Sequence, residues 1–265
     1  MTISNSSIYT SDANWIGLWT LYKREVRRFF KVYTQTLLAP MVTSLLFLAV
    51  FALALGGAER FIGDIPFMEF LAPGLIMMTI AQSAFAHTSS SLVVAKVQGN
   101  IVDSLMPPFT AHELTFGIAL GGATRGIIVG TVVGVAMATI VGSSINHIGY
   151  IVFHAAMASL MLSLLGMIGG IWADKFDHIA AVTNFIVTPL SFLSGTFYSI
   201  DRLPEAAQII AKFNPFFYMI DGFRYGFIDH ADSSLWVGLF VMVGVNVGLW
   251  CLTTWMIASG YKLKP

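Results

Sequence analysis

Long apolar runs separated by short polar stretches make up most of this chain beyond residue 36. A helix needs about 20 mostly apolar residues to cross the roughly 30 Å hydrocarbon core of a bilayer. The pattern predicts an all-α integral membrane protein with six transmembrane helices, at residues 36–56, 67–90, 116–141, 150–173, 179–198 and 235–258. These spans form a six-helix bundle over residues 36–258 within a single domain, residues 1–265.

A different pattern precedes the first span, at residues 14–33. Apolar side chains recur there every three or four positions, at Trp15, Leu18, Trp19, Tyr22, Val26, Phe29 and Phe30. Cations fill much of the remainder, at Lys23, Arg24, Arg27, Arg28 and Lys31. The arrangement predicts an amphipathic helix on the cytoplasmic membrane surface, with its cations toward anionic headgroups. A basic flank that only sets the topology is the alternative.

The distribution of Lys and Arg predicts the orientation of the chain. With a cytoplasmic N-terminus, nine of the 14 cations lie in inside segments, namely the five before the first span and Lys96, Lys175, Lys262 and Lys264. Four lie in outside segments, at Arg60, Arg202, Lys212 and Arg224. Cytoplasmic loops carry the excess of Lys and Arg in membrane proteins. We therefore expect both termini in the cytoplasm.

Composition and motifs exclude several other classes of protein. Only 11% of the residues are charged and 56% are hydrophobic, whereas soluble domains average about 25% charged residues. The net charge is zero, so nucleic-acid binding has no electrostatic footprint. No Gly-Lys dipeptide is present and no second His follows His112 and Glu113, so neither a phosphate-binding loop nor this type of zinc site is expected. We expect no catalytic activity and no cofactor on this chain.

Glycines repeat every four residues in the predicted third span, at Gly122, Gly126, Gly130 and Gly134. Such a stripe lets helices approach closely in lipid, as expected in a tight bundle or at a subunit interface. Shorter repeats occur at Gly166 and Gly170 and at Gly244 and Gly248, and Pro189 is expected to kink the fifth span.

Ionisable residues within spans are functional candidates by default. Arg125, His87 and His154 are the candidates here, although each His is more often structural. No carboxylate is expected at the middle of the membrane, which counts against a proton- or sodium-coupled carrier. An intramembrane enzyme would require these three residues to converge on one cavity.

Two loops contain apolar and aromatic residues in an arrangement that a simple connector would not require. The cytoplasmic loop, residues 92–115, holds a short predicted helix with an apolar stripe at Val97, Ile101 and Leu105, stopped by Pro107 and Pro108. A partner domain could grip this helix, or it could lie on its own bundle.

The external loop, residues 199–232, is too short for two further spans and too apolar for a solvated loop. It predicts a re-entrant hairpin whose aromatic residues lie at headgroup depth, at Phe216, Phe217, Tyr218, Phe223, Tyr225 and Phe227. An interfacial anchor without a role in transport is the alternative.

Several stretches together resemble ABC-2 type transport permeases, the membrane subunits of bacterial ATP-binding-cassette exporters. They are residues 70–78, residues 98–105 followed by Pro107 and Pro108, and the ordered series 194–198, 203–204, 214–215 and 222–226. The series is the most specific of these signals.

The resemblance implies a permease of the bacterial inner membrane that pairs with separate ATP-binding subunits, which use ATP and Mg²⁺. It implies a homodimer, or a dimer of two related permeases, in the lipid bilayer. It assigns ATPase coupling to Gln98, Asn100, Ile101, Asp103 and Leu105, and the external hairpin to Pro204, Asn214, Pro215, Arg224 and Tyr225. The exported substrate would be a hydrophobic compound, a lipid or a glycan. An ATP-independent channel or a membrane scaffold is the alternative from another class.

Overall fold

The computed structural model describes residues 14–54, 61–63, 65–142 and 144–263, with only the backbone of Ser104, Leu105 and Arg202. Arg60 and Lys264, two of the cations used to predict orientation, lie outside the described residues. Within those residues six helices are long and apolar enough to cross a membrane. The prediction of an all-α protein with six transmembrane helices is confirmed; the strands found are a two-residue antiparallel pair, Phe61–Ile62 and Ile65–Pro66.

The helices follow in this order. Helix α1 is Trp15–Phe30, and a π-helical turn Thr34–Leu38 continues into α2, Ala39–Ala54. The next elements are α3 (Phe67–Val97), α4 (Ile101–Leu105), α5 (Ala111–Val141) and α6 (Ile148–Trp172). The fifth span consists of α7 (Phe176–Val182), a π-helical turn Thr183–Val187 and α8 (Thr188–Leu193). After a 3₁₀ turn, Ile200–Arg202, come α9 (Glu205–Phe213), α10 (Pro215–Ile228) and α11 (Leu235–Ser259).

Helix α5 begins at Ala111, five residues before the predicted start of the third span. The cause is a capping box, in which the Thr110 side chain accepts from the backbone N–H of Glu113 and the Glu113 carboxylate accepts from the Thr110 N–H. This reciprocal pairing satisfies amides that a helix start leaves without partners. Polar residues therefore extend the helix beyond its apolar run.

Helix α3 is the central element of the bundle. In its most apolar stretch 89% of the residues are buried, against 11% in the first and fifth spans. It packs mainly against α5 and α6. The first and fifth spans thus lie at the periphery of this chain, with most of their apolar surface uncovered.

The glycine stripe of α5 faces this central helix. A Cβ on Gly126 would lie 2.9 Å from Ser159 Oγ and 3.0 Å from the carbonyl oxygen of Ile80. Gly122 and Gly130 are as tightly enclosed, whereas Gly134 would meet only an ordinary contact of 3.7 Å. The first three glycines therefore allow close packing within the chain.

The shorter glycine repeats have different surroundings. Gly166 and Gly170 on α6 lie against the backbone of α3. Nothing lies within 4 Å of a Cβ built on Gly244 or Gly248. The expectation of close packing at these two positions of α11 is therefore not met within the described chain.

Each peripheral span carries a π-helical turn next to a proline. Pro189 follows the turn Thr183–Val187, and Pro40 follows the turn Thr34–Leu38. Proline has no N–H to donate, and its ring crowds the carbonyl four residues earlier, so the regular hydrogen-bond ladder is interrupted. The predicted disturbance at Pro189 thus takes the form of a widened turn, and the first span shares it.

We expect the change Gly126→Ala to lower the free energy of unfolding by about 1–3 kcal/mol, because the added methyl group overpacks the contact with Ile80. The matched change Gly134→Ala, on the same face of α5, should have little effect. Thermal unfolding in a mild detergent measures both. Equal melting temperatures for the two variants would contradict the packing described here.

Candidate functional site

The first candidate site is the segment between α3 and α5. Gly99, with a φ of +73°, ends α3 in the left-handed conformation that glycine tolerates best. The side chains of Gln98, Asn100 and Asp103 are exposed. Ile101 is 7% exposed and belongs to an apolar cluster with residues of α1, α3, α5, α6 and α11. The short helix α4 is thus anchored to its own bundle on one side and open on the other.

One detail of the predicted α4 stripe is wrong. Val97 was expected to share an apolar face with Ile101, but its side chain is 58% exposed. The turn at Gly99 separates the two residues, so they do not follow one helical periodicity. The side chain of Leu105, the third member of the stripe, lies outside the described residues.

Ionic contacts tie the neighbouring helix ends together. Lys96 Nζ donates to the carbonyl oxygens of Ile171 and Ala173, at 2.8 and 2.7 Å. Lys262 Nζ lies 3.0 Å from Asp174 Oδ2, and this hydrogen bond lowers the pKa of Asp174. The ends of α3, α6 and α11 nearest to α4 are therefore held as one unit.

Helix α1 packs on α5 through a face that shares only Leu18 and Phe29 with the predicted apolar pattern. Its buried residues are Leu18, Leu21, Glu25 and Phe29. Gly121 of α5 leaves room for Glu25, since a Cβ there would lie 2.6 Å from the Glu25 Cβ. By contrast, Trp15 and Trp19 are 72% and 61% exposed. Helix α1 therefore has one apolar face on the bundle and a second, aromatic face that points away from it.

Glu25 is the centre of a buried ionic network. Its Oε2 accepts from Ser91 Oγ at 2.9 Å and lies 3.3 Å from His87 Nε2 and 3.6 Å from Arg28 Nε. Its Oε1 accepts from Arg24 Nη2 at 3.2 Å. Burial opposes ionisation, but the contacts with His87, Arg28 and Ser91 prevail and lower the pKa of Glu25 to about 2.

The same network binds α1 to α3 through the backbone. Arg28 Nη2 donates to the carbonyl oxygen of His87 at 2.7 Å. Glu25 received no role in the sequence analysis because it stands alone in a cationic run. Its position four residues from both Leu21 and Phe29, and seven from Leu18, is the signal that could have revealed it.

A cleft of about 900 Å³ lies between α1 and the α3–α4 turn. We call it the α1 cleft; its charged and polar lining comprises Thr20, Lys23, Arg24, Glu25, Arg27, Arg28, Lys31, Ser91, Gln98, Asn100 and Asp103. The structure thus brings three of the residues assigned to coupling together with the five cations of α1. Five cations face two acids, which leaves a surplus of positive charge.

The three ionisable residues singled out in the spans do not converge. His87 contacts Glu25, whereas His154 lies against Gly222 of α10, with its Nδ1 2.9 Å from the carbonyl oxygen of Tyr150. Arg125 lines a separate cleft between the first three spans. The arrangement that an intramembrane enzyme required of these residues is therefore not found.

The second candidate site is the segment between the fifth and sixth spans. Pro204 is the residue before α9. Asn214 joins α9 to α10: its side chain accepts from the Phe216 N–H and donates to Leu190 O and Ser194 Oγ. Pro215 occupies the first turn of α10, where its missing N–H costs no hydrogen bond.

Helix α10 lies inside the bundle, against α3, α6 and α11. Four of the aromatic residues expected at headgroup depth are buried within the chain, namely Phe216, Phe217, Tyr218 and Phe223. They belong to the main apolar core of the chain. These four side chains therefore pack within the chain, and their placement at headgroup depth stays a prediction. The apolar surface that this segment does expose is on α9, at Ile209, Ile210 and Phe213.

Arg224 fastens α10 to its neighbours. The side chain is 1% exposed, donates from Nε to Phe70 O at 3.2 Å and from Nη2 to Gly195 O at 2.7 Å, and stacks on the Phe70 ring at 3.7 Å. These contacts join α10 to the start of α3 and to the turn after the fifth span. Tyr225 stacks on His147 at 4.8 Å, at the start of α6.

Asp221, which the sequence analysis did not select, fixes the other end of the segment. It accepts hydrogen bonds from the N–H of Asp232 at 2.8 Å and from the N–H and Oγ of Ser233 at 3.0 and 2.6 Å. These residues lead into α11. Arg224 and Asp221 thus lie three residues apart on α10 and fasten it in two directions.

We expect Arg224→Lys to lower the melting temperature by roughly 5 °C, because one ammonium group cannot reach both carbonyls with the geometry of a guanidinium. A carbonyl left without its partner costs about 1–3 kcal/mol. The matched change Arg27→Lys, at an exposed residue of α1, should leave the melting temperature unchanged. If both variants melt like the parent protein, the fastening role of Arg224 is wrong.

The Glu25 network predicts a defined pH dependence. Because folding lowers the pKa of Glu25 from 4.5 to about 2, ionised Glu25 stabilises the protein above pH 4.5, and this contribution is lost as the pH falls through 4.5 toward 2. Glu25→Gln should therefore melt roughly 5 °C below the parent protein at pH 7. The gap should narrow below pH 4.5.

The exposed Glu205, on α9, gives the matched control. Glu205→Gln should melt at the same temperature as the parent protein at every pH. A gap for Glu25→Gln that stays constant from pH 7 to pH 3 would exclude the ionised carboxylate as its cause.

Comparisons with known proteins agree with this architecture. Residues 17–228 match the model of a family described as ABC-2 type transporter. The chain is 33% identical over 250 residues to the inner membrane transport permease YadH of Escherichia coli, a match that covers 94% of this chain and 98% of that protein.

Two more distant relatives also match this chain over most of their length. Nodulation protein J of Neorhizobium galegae is 22% identical over 240 residues, covering 89% of this chain and 90% of that protein. Nodulation protein J of Rhizobium leguminosarum bv. trifolii is 25% identical over 219 residues, or 82% of each chain. From the six apolar helices and the length of these matches, we conclude that the chain belongs to the ABC-2 type transporter family and is a transporter membrane subunit.

Proposed function

We propose that this chain is the membrane half of an ATP-driven exporter and that separate subunits bind and hydrolyse ATP. One observation carries the proposal: α4 displays Asp103 on an exposed surface while Ile101 fixes the same turn to the bundle. A partner domain that closes on ATP would grip the exposed side. The chain itself lacks a phosphate-binding loop of the GxxxxGK[ST] kind, so ATP and Mg²⁺ would bind to the partner.

The packing connects α4 to the transmembrane helices, so a push by the partner domain on α4 would reach them. Helix α4 follows α3 through three residues, and α3 is the most buried of the spans. Ile101 packs in the cluster that also contains Leu114 of α5 and Ile171 of α6. A displacement of α4 would therefore reach the three most closely packed helices. The glycine contacts between them transmit rigid movement better than a loosely packed interface does.

The proposed assembly contains two copies of this chain and two ATP-binding subunits. Its support is the uncovered apolar surface of the first and fifth spans, which are 11% buried within one chain. Closed twofold dimers are the commonest oligomers. A second copy would cover part of this surface, and lipid would cover the rest.

We further propose that the protein lies in the bacterial inner membrane with both termini in the cytoplasm. Lys23, Arg27, Lys31, Lys175 and Lys262 all lie at the end of the bundle that carries α1 and α4. An excess of cations marks the cytoplasmic side. Export is the direction that the family resemblance implies, with α9 and α10 on the outer side.

We expect an ATP-binding-cassette ATPase to co-purify with a tagged copy of this chain from gently solubilised native membranes. Charge reversal by Asp103→Lys should reduce the recovered ATPase roughly tenfold, which corresponds to about 1.4 kcal/mol of binding free energy. The matched control is Asp177→Lys, a charge reversal at another exposed aspartate, at the start of α7. It should leave the recovery unchanged.

If no ATPase is recovered in several detergents, the exporter proposal is wrong and an ATP-independent channel or scaffold replaces it. If both charge reversals release the ATPase equally, α4 is not its specific contact. Quantitative mass spectrometry of the recovered complexes distinguishes these results.

A further inference from the structure

Arg125 lies inside the third span, 14 residues from the start of α5 at Ala111, or about 21 Å along the helix. It faces a cleft of about 530 Å³, which we call the Arg125 cleft. Its Nε is buried without a hydrogen-bond partner among the described residues, and no acid is among the residues that line the cleft. A cation in a membrane span is costly and usually serves a function.

The other walls of the cleft are polar for a membrane span. Hydroxyl and amide side chains from the first two spans line it: Gln35, Thr36, Thr43, Ser44, Thr79, Gln82 and Ser83. The Ser44 and Thr79 hydroxyls bond each other at 2.7 Å. Its volume is within the range of about 300–1,000 Å³ that is usual for ligand sites. One guanidinium surrounded by neutral donors suits an anion.

The cleft opens at the side of the bundle. Thr36 and Ser83 are buried, whereas Val32, Gln35 and Ala39 at its edge are exposed. This edge is the junction between α1 and the first span, and much of it is apolar. An anion that carries acyl chains could place its headgroup in the cleft while its chains stayed in the bilayer.

The α1 cleft supplies positive charge beside this entrance. Lys31 lines the α1 cleft, and the next residue, Val32, lines the Arg125 cleft. Arg28 is close enough to Arg125 to repel it. Positive charge therefore continues from the exposed surface of α1 to Arg125, and such a field attracts anions from the membrane surface.

We infer that the Arg125 cleft binds the phosphate-type headgroup of an amphiphile that enters beside the junction of α1 and the first span. Arg125 would donate to the headgroup oxygens, as guanidinium groups do with phosphates. Gln35, Gln82 and Ser83 would supply neutral donors. That the bound amphiphile is the transported substrate rests on the proposed function; that it binds does not.

Native mass spectrometry of the purified chain tests the inference without any ATPase. The protein is equilibrated in mild detergent with equal amounts of phosphatidylglycerol and phosphatidylcholine. We expect selective retention of phosphatidylglycerol, reduced roughly tenfold by Arg125→Gln, since a charge-assisted hydrogen bond of this kind is lost. Arg125→Lys should retain part of the selectivity.

Two further variants separate the site from general effects. Gln35→Leu removes a neutral donor at the cleft edge and should weaken retention several-fold even if Arg125→Gln fails to fold. Lys212→Gln removes an exposed cation on α9, far from the cleft in the sequence, and should change nothing.

A competition experiment distinguishes a lipid headgroup from a free phosphate anion as the bound species. Inorganic pyrophosphate at millimolar concentration should not displace phosphatidylglycerol; complete displacement would identify a free-anion site and overturn the amphiphile. Equal retention of both lipids, or loss of selectivity only through a changed oligomeric state in Arg125→Gln, would also overturn the inference. Selective retention by the purified chain, combined with failure to recover an ATPase from native membranes, would contradict only the exporter proposal.

Discussion

Close packing of α3 against α5 and α6 is the interaction on which the rest of this structure depends. In lipid, apolar helices gain little from hiding apolar side chains from their surroundings, so van der Waals contact must hold them together. Gly122, Gly126 and Gly130 provide this contact because their missing side chains admit Ile80, Thr88 and Ser163. With these three helices fixed, α1, α10 and α11 have a rigid surface on which to pack, and the first and fifth spans remain at the periphery.

Charge is arranged differently at the two ends of this core. At one end Glu25 is buried among His87, Arg28 and Ser91 and joins α1 to α3, while the remaining cations of α1 face a cleft shared with α4. At the other end Arg224 donates to backbone carbonyls, Asp221 accepts from two backbone N–H groups and the Ser233 hydroxyl, and both fix α10. The first arrangement leaves charge accessible to a partner or a headgroup. The second is fully used within the chain and serves its stability.

This asymmetry supports the proposed function, in which a partner subunit would contact the end that carries α4. Helix α4 exposes Asp103 on one side and packs Ile101 against the bundle on the other. Helix α10, by contrast, fills the space between α3, α6 and α11 with aromatic side chains. The π-helical turns beside Pro40 and Pro189 lie in the two peripheral spans. The interruptions at these prolines therefore lie outside the contacts that α3 makes with α5 and α6.

The sequence by itself determined the number and approximate position of the spans, because the apolar length that a bilayer demands is a local property of the chain. It also determined the helix before the first span and the short helix near Asn100 that ends before Pro107, since capping and proline chemistry act over a few residues. Only the tertiary structure decided which side chains are buried. Glu25 in a cationic run and Asp221 beside aromatic residues become buried through partners 66 and 12 positions away in the chain. Likewise Phe216 and Phe223 enter the core, and Gly126 packs within the chain while Gly244 does not. Such outcomes depend on which helix lies opposite, and periodicity along one helix does not contain that information.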